Sequence, residues 1–216
     1  SKAEALPGVR AVATGQEFGN YIGLYLLDRT LYAVDKVRYI GEPVAGVAAD
    51  TEDIAAEACK LIEVEYEELP AVHDPEYALA PEAPVIHEKL GEYEYAPFIF
   101  PQPGTNISNY FKVRKGDPEN AFKECSCVIE EEFYVPHLQH TPLEPHVAVA
   151  KYDNAGFCTL WTSSQSPFAQ RNLLAKALKM PYNKLRVIVP YLGGGFGCKA
   201  GVSIEACVIP LAMKAS

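Results

Sequence analysis

The residues of this chain best suited to chemistry lie in three places. The first is the run VIVPYLGGGFGCKAG at 187–201, where glycines at 193, 194, 195 and 197 surround Phe196. Glycine takes positive φ without steric cost and has no side chain to hold a ligand away. Such a loop can therefore aim backbone N–H groups at an anion or a large cofactor. A tight turn that needs only conformational freedom is the plain alternative. Spacing tests two cofactor templates. The triphosphate loop requires GxxxxGK followed by Ser or Thr, whereas Lys199 follows Cys198 and precedes Ala200, so that motif is absent. Gly195, Gly197 and Ala200 fit GxGxxA after a strand, which keeps a nucleotide-dependent oxidoreductase open. The chain stops before a further strand could supply the ribose-binding acid of that template.

The second place is VPHLQHTPLEPH at 135–146, which holds His137, His140, Glu144 and His146. Three imidazoles and a carboxylate suit zinc in type, but Pro136, Pro142 and Pro145 break any helix that would gather them. In a strand, His137 would point away from the other three. A structural hydrogen-bonding role is the better reading. Glu63, Glu65 and Glu67 alternate with Val64 and Tyr66, the period of a strand with one solvated face rather than of a metal site. The third place is Gln165, in the string SSQ at 163–165, which reads either as a cap or turn residue or as a neutral amide aimed into a site.

These residues do chemistry together only if the elements between them bring them together. Phe157 to Thr162 reads as a strand. Ser166 or Pro167 opens a helix carrying Phe168, Leu173, Leu174 and Leu178, and Lys184 to Leu192 reads as a second strand. Val202 to Ala212, after the glycine loop, reads as another helix. If the two strands are parallel neighbours, the crossover is right-handed, and Gln165 and the glycine loop leave the sheet at the same carboxyl edge. Upstream, Val44 to Ala49 reads as a strand and Asp50 or Thr51 as the cap of a helix with Ile54, Ala58, Leu61 and Ile62 at helical spacing. Seven prolines between Leu69 and Asn109 mark a connecting segment with little regular structure. Its aromatics, Tyr93, Tyr95, Phe98 and Phe100, either clip it to its neighbours or face a partner subunit. Gly116 to Phe122 reads as a turn and short helix, and Val128 to Val135 as a strand.

Composition limits the classes. With 216 residues, 49% hydrophobic and 22% charged, the chain is ordinary for a globular protein of one or two domains. A net charge of −9 leaves no basic stripe for a nucleic-acid backbone or an anionic membrane surface. The six cysteines form no CxxC pair and read as reduced thiols of a cytoplasmic protein. There is no apolar run of membrane-spanning length and no signal-peptide pattern at SKAEALPGV.

The string GGGFGCK after VIVPYL resembles the GGGFGGK loop in the large, molybdenum-binding subunit of the xanthine dehydrogenase and aldehyde oxidase family, the molybdenum hydroxylases. Four further stretches resemble that family in the same order: VRYIGEPVAGVAADTEDIAAEACKLIEVEYEELPAVHDPEYAL, VRKGDPENAF, LQHTPLEPHVAVAKYD and LWTSSQSPFAQRNLLAKAL. The resemblance implies an α+β fold: a partial hammerhead α/β domain over 1–70, an extended linker over 71–109, and over 110–216 the first part of a molybdopterin-binding α/β domain. It implies that the Gln165 amide donates to an oxygen ligand on molybdenum. Gly194, Gly195, Phe196 and Gly197 would lie against the pterin dithiolene through backbone N–H groups, and His140 and Glu144 would support the floor of the site.

Two positions depart from the family pattern. Residue 198 is often Gly there and is Cys198 here. The position that is Glu in purine-hydroxylating members is Ala200, a substrate-pocket position that points away from xanthine and towards an aldehyde, aromatic or N-heterocyclic substrate. The implied cofactor is molybdenum–molybdopterin, in its cytosine dinucleotide form, with water as the oxygen source. Iron–sulfur clusters and FAD would sit on partner subunits or missing domains of a hetero-oligomer, since these cysteines lack cluster spacing. The chain reads as a fragment: the family's catalytic glutamate falls beyond residue 216, so no catalytic or directly metal-ligating residue is assigned, and the fragment alone is expected to be inactive. A non-catalytic scaffold that binds partner subunits is the remaining alternative.

Overall fold

The computed structural model describes residues 1–216. In chain order the elements are β1 (Val9–Thr14), α1 (Gly15–Phe18), β2 (Tyr21–Ile22), β3 (Arg29–Thr30), β4 (Ala45–Ala49), α2 (Glu52–Lys60), α3 (Pro118–Glu124), β5 (Ala148–Tyr152), β6 (Cys158–Thr162), α4 (Pro167–Ala177), β7 (Leu185–Ile188) and α5 (Glu205–Ala215). Three small sheets result: β1 with β4 and β2 with β3, both antiparallel, and the trio β5–β6–β7. In the trio, β6 runs antiparallel to β5 and parallel to β7, with Cys158 opposite Leu185 and Trp161 opposite Ile188. The architecture is α+β, as the family resemblance implies.

Local chemistry explains the element boundaries. Thr51 caps α2, its Oγ1 accepting from the Ile54 N–H at 3.3 Å, while Glu52 and Asp53 lie at the positive end of the helix dipole. Asp50, the other candidate cap, instead takes the Arg10 guanidinium at 2.7 Å. Asp117 caps α3 by accepting from the Asn120 N–H at 3.1 Å, ahead of Pro118 at a position where a missing N–H costs nothing.

Several expected elements differ. The strand expected to reach Leu192 ends at Ile188, because Pro190 has no N–H to give a ladder and the glycines beyond it leave the sheet. The helix after the glycine loop starts at Glu205 rather than Val202. Neither Val64–Glu67 nor Val128–Val135 forms a strand: the first alternates and the second is rich in β-branched and aromatic residues around Glu130–Glu132, but no neighbouring strand lies beside either, and composition does not supply a ladder. In α4 the buried positions are Gln170, Leu174, Ala175 and Ala177, so Phe168 turns outward, against Arg171.

One core joins the two halves of the chain. Leu160, Leu174, Leu178, Leu185, Val202, Ala206 and Ile209 are buried in a cluster continuous with Ala13, Ile22, Leu31 and Tyr32 from the N-terminal part. Fully burying a leucine such as Leu160 or Leu174 contributes about 2 kcal/mol. Helix α5 lies between the β1–β4 pair and β5, and the buried Tyr32 hydroxyl donates to its Cys207 carbonyl at 2.8 Å. Gly46 makes room for this ring, since a Cβ there would fall 2.6 Å from the Tyr32 hydroxyl. Of the aromatics in the proline-rich segment, Tyr93 is buried against Tyr21 and His87, whereas Tyr95, Phe98 and Phe100 remain exposed, Phe98 with its edge on Tyr25. Backbone bonds from Leu27 to Glu94 and from Ala96 to Tyr25 fix the segment to the N-terminal lobe. No helix is long and apolar enough to cross a membrane.

Candidate cofactor site

Because β6 and β7 are parallel neighbours, the segments that follow them emerge at one edge. Gln165 comes three residues after β6, and the glycine loop follows β7. The two meet directly: Gln165 Oε1 accepts from the Gly197 N–H at 2.9 Å and from the Lys199 N–H at 3.3 Å, and the Gln165 N–H donates to the Lys199 carbonyl at 2.9 Å. With its carbonyl engaged by the loop, the Gln165 side chain must turn its amino group the other way, and that group donates to no protein atom. Gln165 is therefore not the cap of α4. Ser166 occupies the cap position, with its N–H on Ser164 Oγ and its own hydroxyl on the Ala200 carbonyl.

The glycines are needed for this contact. A Cβ on Gly195 would sit 2.3 Å from Gln165 Oε1, closer than any real contact, and one on Gly193 would sit 2.5 Å from Glu144 Cβ. Gly194, Phe196 and Gly197 all have positive φ, at 95°, 52° and 100°. A side chain at φ 52° is uncommon, and Phe196 stands largely exposed at the loop tip. The N–H groups of Gly194, Gly195 and Phe196 donate to no protein atom, although Gly195 is buried. Three successive unpaired donors on a loop with left-handed residues make a concavity suited to an electron-rich group. Gly197 differs, since its N–H is committed to Gln165.

The HTPLEPH segment closes the other side. Glu144 Oε2 accepts from the Gly193 N–H and from Lys199 Nζ, both at 2.8 Å, and Lys199 Nζ also donates to the Glu144 carbonyl at 2.7 Å. The Lys199 ammonium, and then the Gly193 N–H, hold the Glu144 carboxyl below its ordinary range. His140 lies beside the loop, with Nε2 3.8 Å from where a Gly197 Cβ would be. No three His, Cys, Asp or Glu side chains converge anywhere in the structure, so the histidines at 137, 140 and 146 do not assemble with Glu144. Ala200 sits at the end of the loop turn, its N–H on the Gly197 carbonyl. Cys198 Sγ turns inward to the Gly195 carbonyl at 2.9 Å. All six cysteines are free.

Sequence reasoning about the residues missed Lys199, whose side chain has no exposed surface. The usable signal was a lysine two residues past the last glycine of a loop, with one carboxylate on the segment that the loop must pack against.

In this α+β protein the ends of two parallel strands thus present a neutral amide and a row of free backbone donors at one edge. Residues 1–70 match the a/b hammerhead domain of aldehyde oxidase and xanthine dehydrogenase, and residues 99–216 match the molybdopterin cofactor-binding domain. The chain belongs to the aldehyde oxidase and xanthine dehydrogenase family. It is 36% identical over 207 residues to the nicotinate dehydrogenase large molybdopterin subunit of Eubacterium barkeri, covering 95% of this chain and 45% of that one. It is 32% identical over 207 residues to the carbon monoxide dehydrogenase large chain of Hydrogenophaga pseudoflava, covering 93% and 26%. The solved aldehyde oxidoreductase of Desulfovibrio gigas superposes with a TM-score of 0.81 at 28% identity, over 99% of this chain and 23% of that one. The chain thus spans less than half the length of each.

Proposed function

We propose that this chain is the part of a molybdenum hydroxylase that holds the molybdopterin cofactor by the loop 193–199 and Gln165. The observation that carries the reading is the set of donors left free at one sheet edge: the N–H groups of Gly194, Gly195 and Phe196, and the Gln165 amino group. The backbone donors would hold the acceptor-rich pterin, and the Gln165 amino group would donate to an oxygen beside it, as a neutral amide that can neither ligate strongly nor act as a base. When bound, the cofactor supplies two-electron oxidation of a substrate carbon with water as the oxygen source. Gln165 would donate through its amino group towards the cofactor, Gly195 lets Gln165 approach, and Gly197 fixes which end of the amide faces outward.

The substrate would be an aldehyde, aromatic or N-heterocyclic compound. The relative named for nicotinate supports the heterocycle, and Ala200 leaves no carboxylate at that position to grip a purine. The cytosine dinucleotide form of the cofactor, iron–sulfur and FAD partners and a cytoplasmic hetero-oligomer belong to the same reading, as does division of the chain at about residues 70 and 109. Two relatives named as a large subunit and a large chain support an assembly.

The test is elemental analysis for molybdenum, with release of the pterin nucleotide, on the full polypeptide containing this chain, expressed in a host that makes the cofactor. Molybdenum near one per chain is expected, and its loss in Gln165→Ala would tie it to this site. A folded polypeptide with neither metal nor pterin, where a known molybdenum hydroxylase loads normally, would sink the reading.

A further inference from the structure

The buried Lys199 ammonium is the one charge wholly inside the site, and the cofactor reading gives it no task. A lysine with no exposed surface is costly unless its charge is paired and its protons are bonded. Here it has a single carboxylate, Glu144, and the Glu144 carbonyl. Lys199 also touches the site through its backbone: its N–H donates to Gln165 Oε1, and its carbonyl accepts from the Gln165 N–H. One residue therefore ties Gln165 to the segment at 144. The tie is closed on the far side by Gly193, whose N–H donates to Glu144 Oε2 and whose carbonyl accepts from the Glu144 N–H at 3.3 Å. Gly193 and Lys199 bracket the free donors at 194–196, so the loop is anchored at both ends on the same glutamate.

We propose that Lys199, acting through Glu144, is a positioning residue of the cofactor site: the pair of buried Lys199 and half-buried Glu144 holds the two ends of the glycine loop so that the donors between them, and the Gln165 amino group, stay aimed at the cofactor. The proposal rests on the cofactor reading above. It makes Lys199 part of how the site is pre-formed, without contact to substrate or metal, much as outer groups hold ligands that do touch a metal.

The experiment compares wild type, Lys199→Met and Lys199→Met/Glu144→Met in the full polypeptide expressed in the cofactor-making host. Three quantities are read: molybdenum per chain, the melting temperature with the cofactor bound and after its removal, and the Mo(V) electron paramagnetic resonance spectrum. A positioning role predicts that Lys199→Met loses about tenfold in molybdenum retention, the scale of outer-shell substitutions at metal sites. It also predicts that the gap between loaded and cofactor-free melting temperatures narrows, because that gap reports ligand linkage. The double variant replaces the ion pair by two apolar side chains, so its cofactor-free melting temperature recovers. Its molybdenum stays low and its spectrum altered, because the anchor for the Gly193 N–H is gone.

A role confined to folding would lower both melting temperatures equally and let the double variant regain molybdenum, and either result overturns the proposal. A Lys199→Met protein with wild-type molybdenum and an unchanged spectrum overturns it as well. These failures leave the cofactor reading intact, whereas wild type without molybdenum or pterin overturns both.

Discussion

Around the glycine loop, three separate segments meet and hold one another, at 144, 165 and 193–199, through hydrogen bonds and one partly buried ion pair. Residues 126–143 are the opposite case: none of their backbone N–H groups donates to another part of the chain, and Ile129, Phe133, Tyr134 and Val135 are largely exposed. The two stretches adjoin in space, since residue 144 begins where the free segment ends. What separates them is the number of independent partners each has found, not hydrophobicity, of which the free segment has more. A loop of glycines becomes fixed because its donors are claimed from both sides; a run of β-branched and aromatic residues stays unpaired because no edge lies beside it.

The sharpest way to break this contrast is Gly195→Ala. The added methyl group would meet Gln165 Oε1 at 2.3 Å, so Gln165 or the loop must shift. Loss of about 1–3 kcal/mol in a denaturant titration is expected, as for other overpacked sites, together with loss of bound molybdenum. A variant as stable and as well loaded as wild type would show the loop to be slack.

The next effect depends on pH. The folded Glu144 carboxyl titrates below its ordinary value of 4.5, so between the two values the unfolded chain holds the extra proton. The stabilisation is therefore complete above the ordinary value and is lost as pH falls through the folded one. Lys199→Met should flatten this acid limb in melts recorded from about pH 7 to about pH 3, and an unchanged limb would assign it to other carboxylates. The smallest effect is expected for Phe133→Ser, within about 0.5 kcal/mol in the 216-residue chain, as for other exposed positions. A much larger loss in the full polypeptide would mean that other parts of it cover this segment.

The sequence carried the frame of the site because its signals were local. Thr51 and Asp117 cap helices within three residues of themselves. The alternation of strand, helix and strand at 157–192 already required Gln165 and the glycines to share an edge if the strands were parallel, as they are. What the sequence did not carry depends on partners far along the chain. That Gln165 Oε1 would bind Gly197, leaving its amino group free, depends on a backbone path through three positive φ values. The inward turn of Lys199 depends on Glu144, 55 positions away. The strands read at Val64–Glu67 and Val128–Val135 failed for the converse reason, since local residue preference was present but a neighbouring strand was not. The helix read from Ser166 or Pro167 is present, but which of its faces turns inward was not legible: Gln170, not Phe168, is buried and bonds the Gly201 carbonyl.

The bond from Tyr32 to Cys207 also fixes an order of events. Its two ends are 175 positions apart, and the tyrosine is fully buried in the core that the two halves share. On the ribosome, β1 and β4 emerge long before α5 exists, so during that interval the Tyr32 ring lacks its cover and its hydroxyl lacks the Cys207 acceptor. Its final packing is a late, long-range closure of the kind that slows folding and leaves apolar surface open to chaperones until α5 arrives.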